Sequence, residues 1–152
     1  MADPIKINIK RLSNKFNDIP LPGYATEGSS GLDVRAAVEK EIVLAPGKVA
    51  LVPTNLSVEI PAGYEIQVRP RSGLAAKHSL GILNSPGTID SDYRGEVKII
   101  MMNFSEQDFP IKRGERIAQL VISKVYRAEF IEKKGLNDSE RGDGGFGHTG
   151  KN

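Results

Sequence analysis

The chain has no cysteine, which excludes both a disulfide framework and a thiolate zinc site. A fold without thiols is indifferent to its redox compartment, a composition that fits the cytoplasm. Histidine occurs only at His78 and His148, so an all-histidine metal site is not expected. Charge of one sign is not in excess either. The formal net charge is +2, too balanced to imply nucleic-acid or membrane binding by electrostatics. No apolar run approaches the length that spans a bilayer, and the start, from Met1 to Lys6, lacks the basic-then-apolar order of a signal peptide. A divalent ion, if one is used, would be held by carboxylates, water and a phosphate ligand, which points to Mg2+.

What is present is punctuation. The 152 residues make one domain's worth of chain, and 16 glycines and 9 prolines recur every several residues. That spacing favours many short strands and turns over long helices. Ile5–Lys10 alternates apolar and polar as a half-buried strand should. Leu32–Arg35 forms a short strand after the Gly28–Gly31 loop. Ile42–Leu44, Val49–Val52, Leu56–Ile60 and Tyr64–Arg69 follow, separated by Pro46-Gly47, Pro53 and Pro61-Ala62-Gly63. The sequence predicts an all-β meander. One short helix interrupts it over Ser72–His78, where Pro70 and Ser72 mark the start and Leu-Ala-Ala-Lys favours helix. Arg71, the Ser72 hydroxyl and free amides there would suit an anion, or the arginines are simply solvated.

Between the apolar runs Leu80–Leu83 and Val97–Met102 the sequence predicts a wide β-hairpin with Asp90, Asp92 and Tyr93 near its tip. Such a tip could present carboxylates, a ring and edge amides to a flat polar ligand, or be an ordinary surface turn. Phe109–Arg116 reads as a turn and Ile117–Val125 as a mostly apolar strand. Gln119 is embedded in that strand, and its amide needs a partner, in the core or on a ligand. The chain divides into a β-domain, 1–135, and a glycine-rich tail, 136–152. Phe146, alone among the tail's glycines, suits a flap over a base, although the composition also fits a disordered terminus. Gly145–Lys151 has the spacing of a phosphate-binding P-loop, but Asn152 replaces the required Ser or Thr and no helix follows.

Five segments stand out: Gly31–Arg35, Arg69–Ala75, Gly87–Gly95, Arg113–Leu120 and Arg141–Gly150. In this order and spacing they closely resemble the five motifs of the homotrimeric dUTP diphosphatases (dUTPases), over nearly the whole chain. The resemblance implies a distorted jelly-roll, or β-clip, subunit with one short helix and a flexible C-terminal tail. It implies a homotrimer with shared sites and Mg2+-assisted hydrolysis of dUTP to dUMP and pyrophosphate, by water attack on the α-phosphorus. It implies that Asp90 activates the water and that Tyr93 packs on the deoxyribose. Asn84, Gly87, Thr88, Ile89 and Lys98 are then expected to read uracil, and Arg71, Ser72 and Gly73 to hold phosphates. Gln119 and Asp33 would order the phosphates and the waters of the metal, and Arg141, Phe146, Gly147 and Thr149 would close the flap. His148 is assigned no catalysis and Asp92 a structural part in the turn.

The chemistry agrees, since water at neutral pH needs a carboxylate within reach and a triphosphate needs cationic groups to offset its charge. Alternatives are a dCTP deaminase of the same fold, which would release ammonia, or a non-catalytic nucleotide-binding regulator. A nucleic-acid binder is disfavoured by the charge balance and the lack of a basic and aromatic platform.

Overall fold

The computed structural model describes residues 4–148. Among the described residues twelve strands run in chain order: β1 (Asn8–Arg11), β2 (Gly23–Tyr24), β3 (Leu32–Arg35), β4 (Ile42–Leu44), β5 (Val49–Pro53), β6 (Leu56–Glu59), β7 (Tyr64–Arg69), β8 (Leu80–Ile82), β9 (Gly87–Ile89), β10 (Lys98–Asn103), β11 (Phe109–Ile111) and β12 (Arg116–Lys124). The helix α1, Ser72–His78, lies between β7 and β8 and ends on Ser79 in the left-handed conformation. Among the described residues, no helix is long and apolar enough to cross a membrane.

The strands form a five-stranded sheet ordered β2-β3-β12-β7-β9, a three-stranded sheet β5-β10-β8, and the pairs β1-β6 and β4-β11. This is all-β, as the strand spacing predicts, but it is not a meander. β12, last in the chain, sits between β3 and β7 and antiparallel to both. With nine residues it is the longest strand, long enough to pair with β3 and β7 at once.

Alternation along these strands builds the core. Ile66 and Val68 of β7 point inward with Val34 of β3 and Leu120 of β12, against Val52 of β5, Ile99 and Met101 of β10, and Leu80 and Ile82 of β8. A β-bulge between Arg116 and Ala118 lets consecutive residues Ile117 and Ala118 both be buried before strict alternation resumes.

The structure departs from the sequence reading in four places. β1 pairs only with β6 and leaves Ile5 and Ile9 exposed, so the expected half-burial is met only at Ile7, which packs against the core. β11 occupies Phe109–Ile111, where a turn was expected. Pro110 is tolerated because the β4-β11 ribbon has two strands and the missing N–H can face away from the partner. The wide hairpin is real, since β8 pairs with β10 through Ile82 opposite Met101. Its loop, however, contains β9, which leaves that sheet and pairs with β7 at the edge of the other. Lastly, β2 is a two-residue strand that Gly23-Tyr24 did not announce.

Candidate active site

The register of the five-stranded sheet aligns one row of polar side chains. Gln119 on β12 lies opposite Asp33 on β3 and opposite Arg69 on β7. The neighbouring row, Leu32, Leu120 and Val68, faces the core side. Period-two alternation therefore puts Asp33, Gln119 and Arg69 on the outer face. There they line a cavity of about 430 Å³ with Ser29, Ser30, Gly31, Arg71, Ser72, Gly73 and Arg116.

Among the described residues Asp33 is the one carboxylate of this cavity, among the arginines Arg69, Arg71 and Arg116. Arg71 Nε donates to Asp33 Oδ1 at 3.0 Å, and an Arg116 guanidinium N–H donates to Asp33 Oδ2 at 2.9 Å. Asp33 is the most protected member, its side chain 17% exposed. Arg71 stands immediately before α1, and its carbonyl accepts the Ala75 N–H at 3.0 Å. The first-turn amides of Ser72 and Gly73 have no carbonyl one turn back, and both residues line this cavity. Arg71 makes no side-chain cap; its guanidinium is instead paired with Asp33 on β3. Gln119 Nε2 reaches the Pro70 carbonyl at 3.4 Å, a long bond that leaves most of the amide's capacity free. Gly31 makes room for it: a Cβ there would lie 2.5 Å from Gln119 Oε1.

A second cavity, about 500 Å³, opens beside β9. Asn84, Gly87, Thr88, Ile89, Asp90, Tyr93 and Lys98 line it, with Leu51, Val68, Glu96, Val97 and Ile100. β9 is the outermost strand of its sheet, so the backbone groups on its free edge are available for a planar polar ring. Gly87 is buried between Asn84 and Val68, where a Cβ would stand 3.1 Å from the Asn84 amide nitrogen.

The arm leading back from the tip is clasped to the residues before and within β6. Val97 N–H donates to the Leu56 carbonyl at 2.8 Å, and Ser57 Oγ donates to the Arg94 carbonyl at 2.7 Å. Asn55 N–H donates to Glu96 Oε1 at 3.0 Å, while Thr54 Oγ1 donates to the Val97 carbonyl. Thr54, Asn55 and Ser57 are buried, and such fully satisfied polar contacts hold a finger in one position. The tip closes with Tyr93 N–H donating to the Asp90 carbonyl at 3.1 Å. The Arg94 guanidinium adds bonds to the Ser91 and Tyr93 carbonyls at 2.8 and 3.1 Å. The Asp92 carboxylate takes part in none of these, so Arg94 does the work that was expected of Asp92.

The structure thus gathers Asn84, Gly87, Thr88, Ile89, Asp90, Tyr93 and Lys98 around one cavity, and Asp33, Arg71, Ser72, Gly73 and Gln119 around another. It does not bring the two sets together. The cavities share no lining residue, and Val68 and Arg69, consecutive on β7, point into different ones. Arg141, Phe146 and Gly147 line neither. The last backbone bond from this segment to the β-body is Val125 N–H to the Gly63 carbonyl at 2.8 Å. Beyond it the described tail bonds locally, as when Arg141 Nε donates to the Gly144 carbonyl at 2.7 Å. Phe146 is fully exposed and in the left-handed region, φ 51°. Thr149 lies outside the described residues. Reading by sequence assigned no part to Arg116, although it lies within a quoted motif. It also passed over Glu96 and the Thr54–Ser57 clasp, which carries no local pattern to find.

The family model described as dUTPase matches residues 17–150. Among curated relatives, deoxyuridine 5'-triphosphate nucleotidohydrolases of Fusobacterium nucleatum and Caldanaerobacter subterraneus are 52% and 51% identical to this chain over 146 residues, covering 96% of it and 99% and 98% of themselves. One from Chlamydia pneumoniae is 56% identical over 131 residues, 86% of this chain and 90% of its own. Among solved structures, a dUTPase of Staphylococcus bacteriophage 80alpha with dUpNHpp superposes with a TM-score of 0.85 at 28% identity, over 96% of this chain and 99% of that one.

Proposed function

This chain belongs to the dUTPase family and is a hydrolase acting on dUTP, and from that premise we propose that Asp90 drives the reaction from the rim of the cavity beside β9. Uracil enters that cavity and is read by the free edge of β9, with Asn84 and Lys98 at its sides. Tyr93 packs on the deoxyribose, where a 2′-OH would need space. Asp90 takes a proton from a water whose oxygen bonds to the α-phosphorus. The bond from that phosphorus to the bridging oxygen breaks, dUMP forms, and pyrophosphate leaves with the bonding electrons. The observation that carries this reading is the meeting of Asp90 and Tyr93 on one clasped finger beside an unpaired strand edge.

The phosphates are held by groups of the other cavity: Arg71, the amides of Ser72 and Gly73, and the Gln119 amide. Because those groups open on a different space from the base slot, a complete site takes its phosphate groups from another copy of the chain. The surface supports such an assembly. Val49 and Leu51 of β5 are exposed, lie opposite Met102 and Ile100 of β10, and form an apolar strip that reaches the base cavity. The family resemblance makes that assembly a homotrimer with three shared sites, with residues 136–152 as a flap: Phe146 covering the base, and Arg141, Gly147 and Thr149 closing on phosphates.

Among the described residues no three His, Cys, Asp or Glu side chains cluster as a metal cage. The donor chemistry still fits Mg2+, which binds through one or two carboxylates, waters and substrate phosphates. Asp33 spends two of its roughly four acceptor sites on Arg71 and Arg116, leaving room to accept from metal-bound waters. When bound, Mg2+ offsets phosphate charge as it builds in the transition state.

The test is pyrophosphate release from dUTP, dTTP, dCTP and UTP with Mg2+. Turnover of dUTP alone at high rate is expected; ammonia from dCTP, or binding without pyrophosphate, would overturn the reading. Crystals with a non-cleavable dUTP analogue should also bring an Asp90 oxygen within one water of the α-phosphorus.

A further inference from the structure

Gly95 closes the hairpin tip, yet it does not have the left-handed φ that would demand glycine. What demands it is Tyr93. A Cβ at position 95 would overlap the Tyr93 hydroxyl and lie 2.6 Å from Cζ and 2.9 Å from Cε2. Carbon atoms settle near 3.5–4.0 Å, so the ring rests directly on the Gly95 backbone and an added methyl cannot share that space. The ring's far end is hooked as well. Tyr93 Oη donates to the Glu96 carbonyl at 2.9 Å, and Glu96 is itself fixed by the Asn55 N–H at 3.0 Å.

We propose that Gly95 is a positioning residue for sugar discrimination, the seat that holds the Tyr93 ring flat at the rim of the base cavity. The inference rests on reading Tyr93 as the ring that meets the deoxyribose. An alanine at 95 does not strain the backbone, whose φ any residue can adopt, and Tyr93 is 46% exposed with solvent to move into. The methyl therefore displaces the ring from its seat and leaves the fold in place. A ring lifted off its seat no longer fills the space beside C2′, and a ribonucleotide is admitted.

The experiment compares four proteins: wild type, Gly95→Ala, Tyr93→Ala and the double variant. Each is assayed for kcat and KM with dUTP and with UTP. Gly95→Ala is expected to lower the dUTP/UTP ratio of kcat/KM by about tenfold or more, the scale of a lost steric exclusion. The fall should come in good part from a lower UTP KM. In the double variant the ratio should equal that of Tyr93→Ala, because without a ring the methyl has nothing to push. An unchanged ratio in Tyr93→Ala would remove the sugar-facing role of Tyr93 and the inference with it. A lowered ratio in Tyr93→Ala beside an unchanged one in Gly95→Ala would overturn the seat alone. So would an equal further drop when Gly95→Ala is added to Tyr93→Ala, since position 95 would then act through the backbone. If Gly95→Ala fails to fold while the double variant folds, the clash of ring and methyl is demonstrated; if neither folds, the inference fails.

Discussion

Asp33 on β3 is gripped from two sides, by Arg71 ahead of α1 at 3.0 Å and by Arg116 at the start of β12 at 2.9 Å. The carboxylate proposed to order the metal's waters is thus the resting partner of the arginine proposed to hold phosphate. On the proposed reading Arg71 exchanges one anion for another when a triphosphate arrives, while Arg116 keeps its bond to Asp33. Asp33→Asn removes the charge from this arrangement. The expected outcome is a severalfold higher Mg2+ concentration for half-maximal rate with a smaller change in dUTP KM, read from Mg2+ titrations of pyrophosphate release. An unchanged Mg2+ requirement would separate Asp33 from the metal.

Asp90 makes a sharper case. It is exposed on a clasped finger, so Asp90→Asn should leave the fold and dUTP binding in place. Turnover should fall about 10²–10⁴-fold, the usual contribution of a positioned general base. Steady-state kinetics together with binding of a non-cleavable analogue check both halves. Turnover near that of the wild type would remove Asp90 from the role.

The tail is argued to act by closing and to add little to folding. Its described hydrogen bonds are local, and Phe130, Leu136 and Phe146 are exposed. Truncation after Gly135 should therefore change stability by no more than about 0.5 kcal/mol, as for surface changes away from the core. Turnover of dUTP should nonetheless drop strongly, because a flap that excludes water and completes the site is gone. Thermal melting and kcat measured on the same preparation decide it: a large loss of melting temperature would make the tail structural.

How much of this was legible in the sequence depends on range. β7 and α1 fall on the residues that alternation and the Pro70–Ser72 start indicate, because their signals are local. β11 was misread since Pro110 and Lys112–Gly114 look like turn chemistry, and only pairing with β4 makes it a strand. The three-residue β9 could not advertise that it leaves its hairpin for β7. The separation of the two cavities was invisible for the same reason. Whether Gln119 faces inward or outward is set by register with Asp33 and Arg69, and register is a property of three strands at once. Most of the residues that the motifs name line one or other cavity; the motifs carry no information that these residues open on different spaces.

On the proposed reading, that separation makes assembly a requirement for activity. Leu51, 59% exposed, sits in the apolar strip beside the base cavity. Leu51→Asp puts a charge where another copy is argued to pack, and an unpaired charge in an interface is costly. The expected result is a shift from trimer to monomer in sedimentation, with turnover lost in parallel and recovered in part at high protein concentration. A monomeric variant with full activity would show that one chain completes its own site.

A pH dependence follows from the pairing of Asp18 with Arg113. Arg113 holds Asp18 with two bonds, 3.1 Å from Nε and 2.6 Å from a terminal nitrogen, and stacks over Phe16 at 4.5 Å. The hydrogen bond from Arg113 is the main reason the Asp18 carboxyl lies below its ordinary value. A depressed carboxyl stabilises the fold above the unfolded-state value, and that stabilisation is lost as pH falls through the folded-state value. The group is open to solvent and screened, so the effect is small and falls further with salt. Asp18→Asn should therefore melt slightly below wild type at neutral pH and in low salt, and the two curves should converge as pH drops below the ordinary aspartate range. A constant offset at every pH would assign the difference to the Arg113 stack on Phe16 and leave the ion pair without a measurable part.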